Sequence, residues 1–532
     1  MNGYLIALIV FLAYVALVYV LHRIKFFEKH NMSLTGPIIM WRTVRGKTFV
    51  DWLARRPRFW NFYARLSTWI CAGAMVTIMV LLLWEATIVP QIKTPPSPQL
   101  ILGIPGINPV IPVGYGILAL IVAIVVHEFA HGVLTRVGGM KVQSLGVLFL
   151  VVPIGAFVEP DEKELQTTTR TKRSRVYAAG PATNIVVALI MLGLFSGVMM
   201  SSVDVQEQGV IAVGVVADSP ASISGIAPSS VIANVNGTAI TNTADMDTRV
   251  SVPGATIPVQ YYFKGELKTA SNVTDGVVIG YAAQGFAAYD AGLKVGMVVA
   301  SLNDTPLGNV RVLEQVMSRC HAGQTVNIKA MNYNISVGRF TINESVEKIT
   351  LSDKYEYYKT YDPGANSESY RGVAYLGGGF LNMGIDDRNA TYYSSLLAHP
   401  FKGDKSFGDF STSWLRLIAL PFLDLAPLRT PVTDIYEPAG ALAWMPAPAF
   451  WLITNSIYWI FWLNLMVGLT NVLPAVPLDG GYIFRDGIDY LLSRSRRTYT
   501  KEQKDRIVSA VTMSLALIVL GLILWQLVGP AL

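Results

Sequence analysis

Between Val113 and Val126 the chain carries no charged residue, and the next five positions read His127-Glu128-Phe129-Ala130-His131. On an α-helix, residues i and i+4 share a face, so the imidazoles of His127 and His131 can converge on one metal ion. Glu128 is then placed to act as general base on a water held by that ion. Bound zinc lowers the pKa of such a water to roughly 7, which supplies hydroxide at neutral pH. A bare His-Glu-x-x-His can arise by chance on an ordinary helix. In a run of this kind that explanation is poor, because an acidic group at mid-bilayer costs roughly 2.5–3.5 kcal/mol on insertion scales and normally marks function.

A catalytic zinc also needs a third protein ligand and an open position. His127 lies near the cytoplasmic end of its predicted span, so the third ligand must come from a similar depth. A later predicted span ends in Asn471-Val472-Leu473-Pro474-Ala475-Val476-Pro477-Leu478-Asp479-Gly480-Gly481. Two prolines break the helix there, and Asp479 follows the break at a matching depth. It is a candidate ligand, although a helix stop with a capping aspartate accounts for the same residue.

The elements that must hold these residues are membrane helices. Of 532 residues only 15% are charged and 52% are hydrophobic, with mean hydropathy +0.42. Soluble domains carry about a quarter charged residues. The net charge of +6 does not indicate nucleic acid, because the basic residues cluster beside apolar runs, where they orient a chain in a bilayer. The two cysteines, Cys71 and Cys320, cannot build a disulfide framework or a thiolate metal cluster. Runs near the length needed to cross a bilayer predict about six spans, at 3–21, 68–90, 114–136, 181–201, 450–472 and 507–528. The first run has no basic start and its basic cluster follows it, so it reads as an uncleaved span rather than a signal peptide. Lysine and arginine crowd 22–67, 137–180 and 473–506, which puts those loops in the cytoplasm. The long loop 202–449 then lies outside with most of the Asn-x-Ser/Thr sequons: Asn236, Asn272, Asn303, Asn334, Asn343 and Asn389.

That outer loop contains a weak internal repeat. Val216-Ala217-Asp218-Ser219-Pro220-Ala221 and Val231-Ile232-Ala233-Asn234-Val235-Asn236-Gly237 find counterparts in Ala287-Ala288-Tyr289-Asp290-Ala291-Gly292-Leu293 and Val298-Val299-Ala300-Ser301-Leu302-Asn303-Asp304. The pair resembles two PDZ domains, with Ser229-Ser230 in the first copy where the PDZ pattern usually has Gly-Asp. Two generic β-rich domains would fit the same pattern. The expected organisation is a first helix and basic loop (1–67), a second helix and outer loop (68–113), a core (114–201), PDZ-like domains (202–274 and 275–345), a Tyr/Gly/Pro-rich region (346–449) and the last two spans (450–532). Within 346–449 the apolar stretch 415–428 contains Asp424, Pro421 and Pro427. It reads as interfacial rather than spanning.

His-Glu-x-x-His in one span, with Asn-x-x-Pro-x-x-Pro-Leu-Asp-Gly in a later one, resembles the site-2 protease family of intramembrane zinc metalloproteases, peptidase family M50. The likeness covers the third to fifth spans and extends to the PDZ-like insert. It implies that His127, His131 and Asp479 bind one Zn2+ per chain and that Glu128 is the catalytic base. It also implies that Asn471 holds substrate backbone. Ala179-Gly180-Pro181-Ala182-Thr183-Asn184 resembles the family's Gly-Pro-x-x-Asn, which brings Asn184 near the active site. Capping of helix ends would explain both asparagines as well. The run 145–158 is too short to span and resembles the family's membrane-dipping β-hairpin. An exposed edge there could add a substrate strand, which makes Leu148, Phe149 and Leu150 candidate substrate-binding residues. The resemblance implies substrates that are transmembrane segments of membrane proteins, trimmed first by another protease. A metal transporter would need acidic or histidine residues along several spans, and a non-catalytic PDZ scaffold would not need Glu128 and Asp479. The family's animal members carry a cysteine-rich insert. Its lack here, with the sequons outside, suggests a multi-pass protein of an archaeal cell membrane, its site near the cytoplasmic face.

Overall fold

The computed structural model describes residues 3–29, 32–43, 46–91, 97–101, 103–150, 152–343, 348–361, 367–497 and 499–531. Two compact units form. One comprises 1–195, 418–427 and 453–532, and the other 196–417 and 428–452.

The first unit is built from α1 (Gly3–Arg23), α2 (Pro57–Ile88), α3 (Val113–Val137), α4 (Glu162–Thr167), α5 (Arg170–Leu194), α6 (Ala447–Asn471), α7 (Asp479–Arg494) and α8 (Lys501–Val528). Among the described residues five helices are long and apolar enough to cross a bilayer: Pro57–Ile88, Val113–Val137, Arg170–Ser202, Ala447–Asn471 and Lys501–Val528. These helices mark an integral membrane protein. The expected first span is a helix as well, with its apolar part Leu12–Arg23 described. Helix α5 is central and packs on α2, α3 and α7. Its contact faces use Ala178, Ala179, Gly180, Ala182 and Ala188, all buried. Small residues let helix backbones approach closely where lipid offers no hydrophobic drive to associate. Below this packing, Asp486 of α7 accepts hydrogen bonds from Arg173 and Ser174 of α5. Asp489 pairs with Arg170 and Lys504, which ties α5, α7 and α8 together.

The predicted hairpin is two strands of a larger sheet. Strands β1 (Met32–Thr35), β2 (Ile38–Thr43), β3 (Val142–Leu150) and β4 (Val152–Pro160) lie in the order β1-β2-β3-β4, all antiparallel. The first two come from the basic loop after α1, where no strand was expected. The consequence is a correction to the substrate-edge expectation. Leu148 pairs with Met40 and Gly155, and Phe149 with Ile39 and Pro153. Leu150 pairs with Val152, and its side chain lies outside the described residues. The ladder of β3 is therefore taken on both sides, and the open edge next to the core helices is β4.

The second unit holds two β-domains of the same topology. One sheet runs β8-β7-β6-β5 through β5 (Val210–Val215), β6 (Val231–Val235), β7 (Thr256–Phe263) and β8 (Glu266–Thr274). The other runs β12-β11-β10-β9 through β9 (Val277–Ala282), β10 (Val298–Leu302), β11 (Thr325–Asn334) and β12 (Arg339–Asn343). Each sheet is finished by a strand from far downstream. β13 (Gly378–Asn382) pairs with β9, and β14 (Ile385–Asn389) pairs with β5. Alternating apolar positions fill two cores, one around Ile232, Val259 and Ile385 and one around Val299, Leu302 and Ile328. Thus part of the Tyr/Gly/Pro-rich region completes both domains. Further on, Phe407–Ala419 is helical and Leu420–Leu423 tightens to a 3-10 turn, ended by Asp424 at φ 59°. The stretch expected to be interfacial therefore forms no spanning helix. The Ile418 carbonyl accepts the indole N–H of Trp462, 2.9 Å away.

Candidate metal centre

Helix α3 carries His127 and His131 one turn apart, as their spacing requires. Their Nε2 atoms are 3.1 Å apart. Asp479 Oδ2 lies 3.1 Å from the first and 3.3 Å from the second. Tetrahedral zinc with bonds near 2.0–2.2 Å sets its donors roughly 3.3 Å apart. The three donors thus already form one face of such a tetrahedron, and they are the one His/Cys/Asp/Glu group among the described residues suited to a metal ion.

Each donor is held from behind. His131 Nδ1 donates to the Val176 carbonyl at 2.8 Å, which leaves Nε2 as the free donor atom. His127 Nδ1 faces the Asn184 amide at 3.3 Å, and Asn184 Oδ1 is buried without a partner among the described residues. Turned over, the same amide sets Oδ1 against Nδ1–H and satisfies both groups. Asp479 stands in the first turn of α7, where the helix dipole favours an anion. The break before it is folded back tightly. A Cβ on Gly480 would lie 2.2 Å from the Val472 carbonyl oxygen, and one on Gly481 would lie 2.5 Å from the Ala475 carbonyl carbon. Only glycine lets α7 start so close to the end of α6.

The fourth wall is backbone. A Cβ on Gly180 would lie 2.5 Å from Nε2 of both His127 and His131. Sequence reasoning did not single out this glycine, although it sits inside the Ala179-Gly180-Pro181 stretch. Glu128 accepts the backbone N–H of Val158 on β4 at 2.9 Å. That amide is turned away from β3, so the carboxylate lies along the open edge of the sheet. Asn471 is not drawn into the cluster, because its amide N–H donates within its own helix to Val467 at 3.1 Å.

Residues 115–519 match the family model of peptidase family M50. The chain belongs to peptidase family M50. Both halves of the donor set, His127 and His131 on α3 and Asp479 on α7, fall inside the matched region. Over 88 residues the chain is also 43% identical to an uncharacterized protein of Methanocaldococcus jannaschii, a match that covers 16% of this chain and 24% of that relative. M50 is a family of peptidases that are generally zinc-dependent, and the donor triangle agrees with that.

Proposed function

We propose that this protein is an intramembrane zinc metalloendopeptidase that cleaves transmembrane segments of membrane proteins. One observation carries the reading: three donors from α3 and α7 stand at tetrahedral spacing inside a membrane unit, with a glutamate beside them. His127, His131 and Asp479 hold Zn2+, while Asn184 and the Val176 carbonyl orient the two imidazoles. Zinc at these donors would polarise the scissile carbonyl and acidify a water. Glu128 takes the proton from the attacking water and returns it to the leaving amine as the C–N bond breaks. The alternatives weaken on the same grounds. A transporter would need more ligands along the spans, and a scaffold would have no use for the donor spacing.

A peptide bond inside a helix is shielded, so the substrate must unwind before attack. The open edge of β4 supplies a template by strand addition. Val158 and, two residues away, Ala156 present their backbone groups on that side, next to Glu128. Asn471 could hold the peptide if its amide turned from Val467. Leu148 and Phe149 would serve through side chains and not through their ladder. The basic loops put the site on the cytoplasmic side and the two β-domains outside, in an archaeal cell membrane with six spans. Those domains are PDZ-like, and they exclude substrates whose outer part has not been trimmed by another protease.

The test is the metal content of purified protein beside Glu128→Gln and Asp479→Ala. About one zinc per chain is expected in wild type and Glu128→Gln, with peptide cleavage lost in the latter. Asp479→Ala should lose the metal. A folded wild type without zinc would overturn the reading and leave a scaffold.

A further inference from the structure

Arg388, Lys402, Lys405 and Arg416 surround one cavity of about 820 Å³, with two carboxylates, Asp404 and Asp409, in the same wall. Its lining lies wholly within the second unit. Lys402, Lys405 and Arg416 are exposed and form no ion pair among the described residues. Arg388 spends one nitrogen on Asp386, 2.7 Å away. The carboxylates are already engaged. Asp409 Oδ2 accepts the backbone N–H groups of Lys405 and Ser406 at 3.1 and 3.0 Å, and Asp404 Oδ1 accepts the Ser413 hydroxyl at 3.1 Å. The other oxygen, Asp404 Oδ2, is buried without a partner among the described residues. A guest suited to this wall is an anion that also carries a hydrogen-bond donor.

Two features set the cavity at a membrane surface. The first is the helix Phe407–Ala419. Asp409, Thr412, Ser413 and Arg416 share one face of it, and all four line the cavity. The opposite face carries Phe407, Phe410 and Trp414, flanked by Leu415. Phe407 is 84% exposed, and Phe410 and Leu415 are exposed as well. A helix of this kind lies along the interface, its apolar face roughly 5–10 Å into the acyl boundary and its polar face among the headgroups. The second feature is the short helix Tyr392–Ala398, whose Tyr392, Ser395 and Leu396 form another part of the wall. It packs on Met200–Ser202, the end of the membrane helix Arg170–Ser202. The cavity thus sits at the depth where a span leaves the hydrocarbon.

We propose that this cavity binds the headgroup of a polar lipid, a phosphate ester that also carries a hydroxyl or an ammonium group. Lys402, Lys405 and Arg416 bind the phosphate oxygens, Asp404 Oδ2 takes the headgroup's own donor, and the hydrocarbon chains lie beside Phe407 and Leu415. A soluble phosphate ester shares the headgroup chemistry but has nothing to place against those apolar side chains. The bound lipid holds the β-domain unit on the membrane surface. The inference needs only the membrane helices and stands apart from the metalloprotease reading.

The test titrates the whole chain, purified in detergent and stripped of lipid, with phosphatidylglycerol, whose headgroup carries a phosphate and hydroxyls. Native mass spectrometry counts the lipid bound. A saturable site is expected. The double variant Lys402→Gln, Arg416→Gln removes two charged donors and should weaken it about tenfold or more. The double variant Arg311→Gln, Lys348→Gln loses the same charge from exposed positions outside the cavity and should bind as wild type does. Phosphatidylcholine, with no net charge and no donor, and glycerol phosphate, with no hydrocarbon, should each bind more weakly than phosphatidylglycerol. Should the first double variant misfold, Lys405→Gln is judged by the same criterion. Equal affinity of the two double variants, equal binding of phosphatidylcholine, or no bound lipid would overturn the proposal. Glycerol phosphate binding as tightly as the lipid would overturn it too, and would make the cavity a site for a soluble phosphate ester. Zinc content should be the same in every variant, so failure here is distinct from failure of the metal centre.

Discussion

The sharpest test of the metal centre is a single methyl group at Gly180. The Cβ of Gly180→Ala would sit 2.5 Å from His127 Nε2, 2.5 Å from His131 Nε2 and 2.6 Å from His127 Cδ2. Non-bonded heavy atoms settle near 3.5 Å, so the two rings or α5 must retreat by about 1 Å. The rings have little room to do so. His131 is tied through Nδ1 to Val176, His127 faces Asn184, and both touch Asp479. Zinc sites tolerate about 0.2 Å in bond length. Loss of an outer hydrogen bond to a ligand already costs roughly ten- to a hundredfold in affinity. Gly180→Ala should therefore weaken zinc binding by at least about a hundredfold, or ~2.7 kcal/mol. Overpacking should also cost about 1–3 kcal/mol of stability. Gly193 on the same helix is the control, because its Cβ would meet nothing within 4 Å. Gly193→Ala should keep zinc and stabilise the helix by about 0.5–1 kcal/mol. Zinc competition against a fluorescent chelator, with thermal unfolding in the same detergent, measures both effects. If Gly180→Ala binds zinc as tightly as Gly193→Ala does, the donor triangle is not the metal site.

Three further outcomes follow from the sheet and the insert. Ala156→Pro removes an edge N–H from β4, a change that edge strands tolerate; it should preserve fold and zinc while slowing cleavage about tenfold or more, whereas Leu148→Pro, inside the ladder, should destabilise the protein. Equal effects of the two substitutions would refute the edge assignment. The Ala390 N–H donates to the Gly209 carbonyl at 3.3 Å, so the two β-domains can be excised as 210–389 with Gly209 joined to Ala390; the product should bind zinc and cut an untrimmed substrate that the whole chain refuses, and continued refusal would end the filter idea. Burial and the neighbouring Asp247 push the Asp387 carboxyl up to about 6. The folded insert thus binds more protons than the unfolded chain between pH ~4 and ~6, and its stability falls as pH rises through that window. Asp387→Asn should remove the slope and add at most about 3 kcal/mol above pH 6. Hydrogen-exchange protection of β5 and β14 in the whole chain reads it, and an unchanged slope would exclude Asp387 as its source.

How much of this was legible depended on whether a residue's type was out of keeping with its surroundings. His127, Glu128 and His131 stand out because ionisable groups in an apolar run are costly, and Asp479 stands out because it follows a double-proline break. Their convergence at 3.1–3.3 Å is what those signals implied. The helices near 57–88, 113–137, 447–471 and 501–528 could be read from run length and composition. The strands β1 and β2 could not, because both are short, β1 pairs only with β2, and β2 gains its second partner from the distant hairpin.

The same limit explains the insert. Its repeat was visible as two copies of a turn, a short helix and a β-rich run, because those are local patterns. The strands that close the copies, β13 and β14, are short, the first begins within Gly377-Gly378-Gly379, and their pairing with β9 and β5 far upstream is set only in three dimensions. At the metal centre the unread parts were those without a side chain: the bare Cα of Gly180, the carbonyl of Val176 and the amide of Val158. A sequence names the groups that bring chemistry to a site. Groups that make room for it, or hold it by main-chain atoms, leave no distinctive residue type behind. For this protein that division has a practical consequence. Substituting His127, Glu128, His131 or Asp479 tests the chemistry, and Gly180 and Ala156 test whether the architecture around it works as described.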